Sequence, residues 1–323
     1  MPEPKPSLEQ IAEQLRQAEA AGDPSKQGIA FNNLGDYYKD QRETAKAVEH
    51  FQKALVFFNV LDDREKKATV LNNLGGALVD AKQYPQALEQ FALALGVYGA
   101  INQPFGQAMA LNNMGGVHLT LGAYEEARKQ FILSASFFRS AAAPAWEGQA
   151  LENLAAAEAS TGNTKAAIES YGRALIIWQQ QNQIDRQAMI MNRIASMHAA
   201  AGESKHAIEL HSRALALSQK AGNVPLEAST RASLGRVHFE SKNWAASRQE
   251  FEHALRIFKD NGDKRGQAVA LLGLGRLDVA TGHEFLRSAA AMFHEIGDAA
   301  GEQTALDQLP EAEPLEQAKV RPA

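Results

Sequence analysis

Histidine, asparagine and arginine are the residues here whose placement could support chemistry, because the chain has nine histidines and no cysteine. Without thiols there is no cysteine nucleophile, no thiolate zinc site and no disulfide framework. His118, His198 and His238 are separated by multiples of 40 residues, which invites a shared metal. Helices repeating at that step would stack about 10 Å or more apart, whereas zinc holds its nitrogens at about 2 Å. One ion cannot bridge them, and buried or half-buried roles are expected. His206 and His211 are five apart, out of phase for joint ligation. No glycine-rich stretch leads into Gly-Lys-Ser/Thr, and neither Gly-x-Ser-x-Gly nor His-Glu-x-x-His occurs. No catalytic residue, metal, cofactor or enzymatic activity is expected.

The asparagines are another matter. Asn-Asn pairs fall at Asn32–Asn33, Asn72–Asn73 and Asn112–Asn113, and Asn153 continues the second position. An amide carries both donors and an acceptor, so evenly spaced amides can grip the backbone of an extended peptide with little demand on its sequence. The alternative is that Asn32, Asn72 and Asn112 tie neighbouring helices together.

These residues belong to an internal repeat, the first thing to seek in a sequence. Phe31-Asn-Asn-Leu-Gly35, Leu71-Asn-Asn-Leu-Gly75 and Leu111-Asn-Asn-Met-Gly115 lie 40 residues apart, and the step continues through Leu151, Met191, Arg231 and Leu271. A small-residue column (Ala47, Ala87, Ala127, Ala167, Ala207, Ser247) and an aromatic one (Phe51, Phe91, Phe131, Tyr171, His211, Phe251) keep the same step. Phe31, Leu34, Gly35 and Tyr38 share one helical face, as do Ala47, Phe51, Ala54 and Phe58. Gln41-Arg-Glu-Thr between them is short and polar, and Pro24, Pro104 and Pro144 interrupt the chain before new repeats. Each repeat therefore reads as two antiparallel helices.

The spacing Phe31-x-x-Leu34-Gly35-x-x-Tyr38 with Ala47-x3-Phe51 resembles the tetratricopeptide repeat. The period of 40 exceeds that family's 34, and the closing proline is missing. The wording is similar to that of kinesin light chains, spindle-orientation adaptors and Rap-type peptide sensors. The resemblance implies an all-α fold, a right-handed α-solenoid of stacked antiparallel hairpins. It also implies that the outward face of each first helix lines a groove where ligands bind. At about 100° per residue, Asn33, Asp36 and Asp40 point away from the Leu34 face, with Asn32 on the flank. Down the repeats, the Asn33 column reads Asn33, Asn73, Asn113, Asn153, Arg193, Ser233, Gly273. The Asp36 column runs from Asp36 through Gly76, Gly116 and Ala156 to Arg236 and Arg276, and the third begins Asp40, Asp80 and reaches Ala280. The groove is thus expected to be acidic early, amide-lined in the middle and cationic at Arg193, Arg236 and Arg276. Guanidinium forks suit carboxylates, so an acidic partner segment is expected there.

Domain boundaries follow. Residues 1–6 are expected to be disordered, 7–310 to form a single solenoid and 311–323 a disordered tail. Within the solenoid lie a leading cap helix 7–20, seven repeats from about 28 to 298 and a closing cap helix 299–309 that Pro310 stops. Repeat seven is five residues short around His283. The net charge of −5 disfavours nucleic acid, whose binding needs a basic footprint. The longest apolar run, 91–101, is too short to span a bilayer, and MPEPKPSLEQ lacks the form of a secretory signal. A cytoplasmic adaptor is expected, recognising a peptide or protein segment in its groove, with self-assembly or ligand sensing as the alternatives. The repeats are expected to leave no room within these 323 residues for a further effector part.

Overall fold

In a computed structural model, the protein is described over residues 6–277 and 282–309. Residues 1–5, the tail 311–323, Ala280 and Pro310 lie outside that description. Every regular element in it is a helix. The order is α1 (Leu8–Ala20), α2 (Pro24–Asp40), α3 (Thr44–Val60), α4 (Arg64–Asp80), α5 (Tyr84–Ala100), α6 (Pro104–Thr120), α7 (Tyr124–Ser140), α8 (Pro144–Ser160) and α9 (Thr164–Gln180). There follow α10 (Ile184–Ala200), α11 (Ser204–Ala221), α12 (Val224–Glu240), α13 (Trp244–Asp260), α14 (Lys264–Leu277), α15 (Gly282–Glu295) and α16 (Ala299–Leu306). The contacts divide the chain into two compact units, 1–177 and 178–323, with the boundary inside α9. Each is described by itself.

The 40-residue step is built from two 17-residue helices, as in α2 and α3, and two three-residue turns. Each repeat opens at Pro24 or its equivalents, a few residues before the expected start near 28. Proline takes the first helical position because the N–H it lacks would have no partner there. Asp23 and Asp63 cap α2 and α4 by accepting the backbone N–H of Lys26 and Lys66, each at 3.0 Å. Helices α1–α13 and α15 end in a left-handed residue with paired carbonyl closures. In the first hairpin Arg42 has φ 61° and the Glu43 N–H donates to Tyr38 O at 2.9 Å.

Within a hairpin the two helices approach where the repeat has Leu-Gly. A Cβ at Gly35 would lie 2.5 Å from the Phe51 ring, and one at Gly75 2.6 Å from Phe91. The glycine is therefore required by ring-on-backbone packing. In the first unit Phe51, Phe58, Val70, Leu74, Phe91 and Val117 form one buried cluster; in the second, Phe251, Phe258, Leu271, Leu274 and Phe293 form another. Each such side chain contributes roughly 1.5–3 kcal/mol by leaving water. Ser247, where the small column departs from alanine, and Ser134, at the place Ala54 and Ala94 hold in earlier repeats, donate to the carbonyls of Gly235 and Ala108 at 2.8 and 2.9 Å, so neither buried hydroxyl is stranded.

Ser7 and Gln10 form a reciprocal capping box on α1. In repeat seven α14 is described over Lys264–Leu277 and α15 over Gly282–Glu295; the Gly275 carbonyl oxygen lies 2.2 Å from where a Cβ on Gly282 would stand, a backbone approach that only glycine permits. α16 ends at Leu306, three residues before the expected 309. The Leu309 N–H donates to Leu306 O at 2.9 Å, a tightened turn in a residue that proline at 310 steers away from helix.

Candidate functional site

In the first unit α4, α6 and α8 bring Asn72, Asn73, Asn112, Asn113 and Asn153 around one open cavity of about 570 Å³. Gly76, Gly116 and Asp80 line it too, over a floor that includes Phe91, Val117 and Phe131. The five asparagines are half-buried. They are chained: Asn73 donates to Asn32 Oδ1 at 3.1 Å, Asn113 to Asn72 at 3.0 Å and Asn153 to Asn112 at 3.0 Å. The second asparagine of each repeat thus reaches the first asparagine of the repeat before it. Both columns tie neighbouring helices, where only the Asn32 column was considered for that role.

Each bond uses one donor of one amide and the oxygen of the other. Among the described residues, the oxygens of Asn73 and Asn113 and the amide groups of Asn72 and Asn112 make no further hydrogen bond. Donors and acceptors both remain for a ligand. Lys39 also lines this cavity, its Nζ 3.0 Å from where a Gly76 Cβ would stand. The sequence reading passed over it. The available signal was its position three residues after Asp36, on the same helix face, with Val79 and Leu119 following it into the cavity.

The acidic residues are shared between two places. Asn33, Asp36 and Asp40 line a separate cavity of about 540 Å³ with Pro6, Ser7, Ile11, Tyr37 and Gln41. The Asn32 amide also donates to Asp36 at 3.3 Å. Asp80 is exposed in the asparagine-lined cavity.

In the second unit Arg236 and Arg276 line a cavity of about 430 Å³ with Ser233, Phe239, Val269, Leu272 and Gly273. Here Ala232–Ser233 and Leu272–Gly273 replace the paired asparagines. Gly273 lets the Phe251 ring pack against the α14 backbone, since a Cβ there would lie 2.4 Å from it, and Gly266 does the same for Phe258. The wall changes from amide to apolar. Arg236 pairs with Glu240 at 3.3 Å on the surface, an attachment worth little there. Arg276 has no ion pair among the described residues. Arg193 is exposed on α10 and is not among the residues lining this cavity.

The histidines do not converge on one centre along their column. His118 and His238 are half-buried on separate helices. His211 fills the aromatic column, fully buried, with its Nδ1–H donating to Asn192 Oδ1. Burial, with the Arg236 charge adding to it, pushes its pKa down to about 4. The neutral imidazole is therefore the form favoured at this site near neutral pH.

Helix pairs with aromatic-on-glycine seams and side-chain amides bonded from repeat to repeat define a helical-repeat protein whose first helices carry the exposed polar wall. The chain belongs to the tetratricopeptide repeat family, whose profile matches residues 26–100, 106–180, 146–220 and 186–260. No curated protein matches the sequence. Among solved structures, aspartyl phosphate phosphatase F from Bacillus subtilis has a TM-score of 0.62 at 19% identity, over 92% of this chain and 73% of that one. BtubC (BKLC) from P. vanneervenii gives 0.59 at 19%, over 66% and 89%. A Rap protein complexed with competence and sporulation factor gives 0.53 at 14%, over 92% and 78%. At these identities the likeness is one of fold. No described helix is long and apolar enough to cross a membrane.

Proposed function

We propose that this chain is a non-enzymatic protein-interaction scaffold that holds a peptide or an extended protein segment against the exposed faces of its first helices. The observation that carries this reading is the set of unused donors and acceptors on Asn72, Asn73, Asn112 and Asn113, all around one cavity. Helix pairs stack at about 10 Å, and three residues of extended chain span about 10 Å. A segment laid along the amides would therefore meet one asparagine pair at every third residue, through its backbone. Gly116, with nothing within 4 Å of where a Cβ would stand, leaves room for that approach, and at Gly76 the movable end of Lys39 borders it.

In the second unit, the apolar cavity with Arg236 and Arg276 suits a segment that pairs carboxylates with apolar side chains. Arg193 adds a further exposed cation, while Asp36, Asp40 and Asp80 favour basic residues in the first unit. A Rap protein of this fold is solved with competence and sporulation factor, which is in keeping with such a role. The likeness to a protein named as a phosphatase, at 19% identity, carries fold and not activity.

The test is a pull-down with wild type and with Asn73, Asn113 and Asn153 all changed to Ala. Loss of partners at unchanged helicity is expected. A full partner set retained by the variant would move binding to another face or to self-association.

A further inference from the structure

One cluster of ligating side chains lies outside the walls described above. His198 lies in the last turn of α10, Glu203 precedes α11, and His206 is the third residue of that helix. One atom of each, a His198 ring nitrogen, a Glu203 carboxylate oxygen and a His206 ring nitrogen, lies within 4.8 Å of the other two. The His198 Nδ1 to Glu203 Oε2 distance is 2.6 Å and the His206 Nδ1 to Glu203 Oε2 distance is 3.8 Å. Spacing along the sequence aligns His198 with its column mates and sets His206 beside His211, and it carries no sign of the trio across the turn.

We propose that His198, Glu203 and His206 bind a divalent transition-metal ion of the zinc type. Two imidazoles and a carboxylate are a borderline-soft donor set, suited to zinc and its neighbours rather than to magnesium or calcium. Zinc at about 2.0–2.1 Å from each ligand in a tetrahedral site sets ligand atoms about 3.3 Å apart. The two measured separations straddle that value, so small side-chain rotations complete the site. The backbone beneath it is fixed. Gly202 takes φ +79°, the Glu203 N–H closes on His198 O at 2.9 Å and the Gly202 N–H on Ala199 O at 2.9 Å. Glu203 and His206 side chains are 51% and 70% exposed, which leaves a coordination position open to water or to a partner's side chain.

Repeat one supplies a second, independent observation. Its equivalent positions are Tyr38, Glu43 and Lys46, and there the Lys46 ammonium sits 2.5 Å from Glu43 Oε2 and 5.0 Å from the Tyr38 ring centroid. This turn holds a cation between the carboxylate and the ring in repeat one. In repeat five both the ring and the lysine are replaced by imidazoles, which removes the built-in cation and adds two ligands. Repeats three and six keep only the first histidine. Ala123 and Asn243 stand at the carboxylate's place there, and Glu126 and Ala246 at the second imidazole's.

The experiment is titration of the tag-free full chain with zinc chloride by calorimetry, and with cobalt(II) followed by its visible absorption. One equivalent is expected, with the intense bands of low-coordinate cobalt. Glu203→Gln and His206→Ala, both at exposed positions, should each weaken binding at least about tenfold with circular dichroism unchanged. His294→Ala, at the exposed His294–Glu302 pair, should bind as wild type. No saturable zinc binding by wild type, or binding that both repeat-five variants retain, would overturn the proposal.

Discussion

The side-chain amide of Asn113 donates to Asn72 Oδ1 at 3.0 Å, from the second asparagine of one repeat to the first asparagine of the repeat before it. The same offset of 41 residues links Asn73 to Asn32 and Asn153 to Asn112. The interaction sets the register of α6 on α4 while leaving half of each amide unspent, which is how one residue type can serve both stacking and recognition.

Asn113→Ala removes the donor and strands Asn72 Oδ1 in a half-buried place. A loss of about 1 kcal/mol is expected, with a similar loss for Asn72→Ala. Because both substitutions break the same bond, the double variant should lose less than their sum. Additive losses in urea unfolding would show that the two amides act independently.

Gly75→Ala and Gly116→Ala should move stability in opposite directions, although both lie within the first helices of repeats. A methyl at 75 meets the Phe91 ring at 2.6 Å, whereas nothing lies within 4 Å of one at 116. Overpacking costs roughly 1–3 kcal/mol, while helix propensity favours alanine by up to about 1 kcal/mol. Thermal unfolding of the pair is the check. If a peptide backbone approaches Gly116, that more stable variant should bind it less well.

Acidification should weaken the second unit through His211. Its folded pKa lies near 4, below the unfolded value of about 6.5. Between those limits the unfolded chain takes up a proton that the folded chain refuses. Stability is therefore complete above about pH 6.5 and falls as pH drops toward 4, by up to about 3 kcal/mol. His211→Phe, the residue that most other repeats carry there, should flatten that slope in urea denaturation at pH 7 and pH 5. An unchanged slope would place the linkage elsewhere.

Ala142 adopts φ 52° in the turn between α7 and α8, a left-handed conformation costing a side-chain-bearing residue on the order of 1 kcal/mol. Other turns place glycine at this point, Gly162 with φ 77° among them. Ala142→Gly should raise the melting temperature, the released strain exceeding the entropy that glycine adds to the unfolded chain. The same change at Ala141, where φ is −82°, should lower it.

Reversing charge with Arg236→Glu and Arg276→Glu should abolish capture of an acidic segment while leaving unfolding midpoints within about 0.5 kcal/mol, since both side chains are exposed. Wild-type binding should also weaken as salt rises, because exposed charges are screened over about 10 Å at 0.1 M. Fluorescence anisotropy with an acidic, apolar peptide would measure both effects.

Helix positions, hairpin pairing and family were all legible in the amino-acid order. Phe51, Gly35 and Ala47 recur at a fixed step, and a local period of 3.6 dictates which side chains must leave water. Asn73, Asn113 and Asn153 could be placed on the outward face by the same count. What only the tertiary structure decided is how one hairpin sits on the next. That offset pairs Asn113 with Asn72, and it swings Lys39 across to Gly76. Gly273 and Gly266 likewise became the seats of the Phe251 and Phe258 rings only once the neighbouring helix was in place. His198 and His206, eight residues apart with a left-handed glycine between them, meet across a turn because the chain reverses there. Periodicity along one helix carries no information about such reversals, since it records which face is apolar and not which neighbour that face finds.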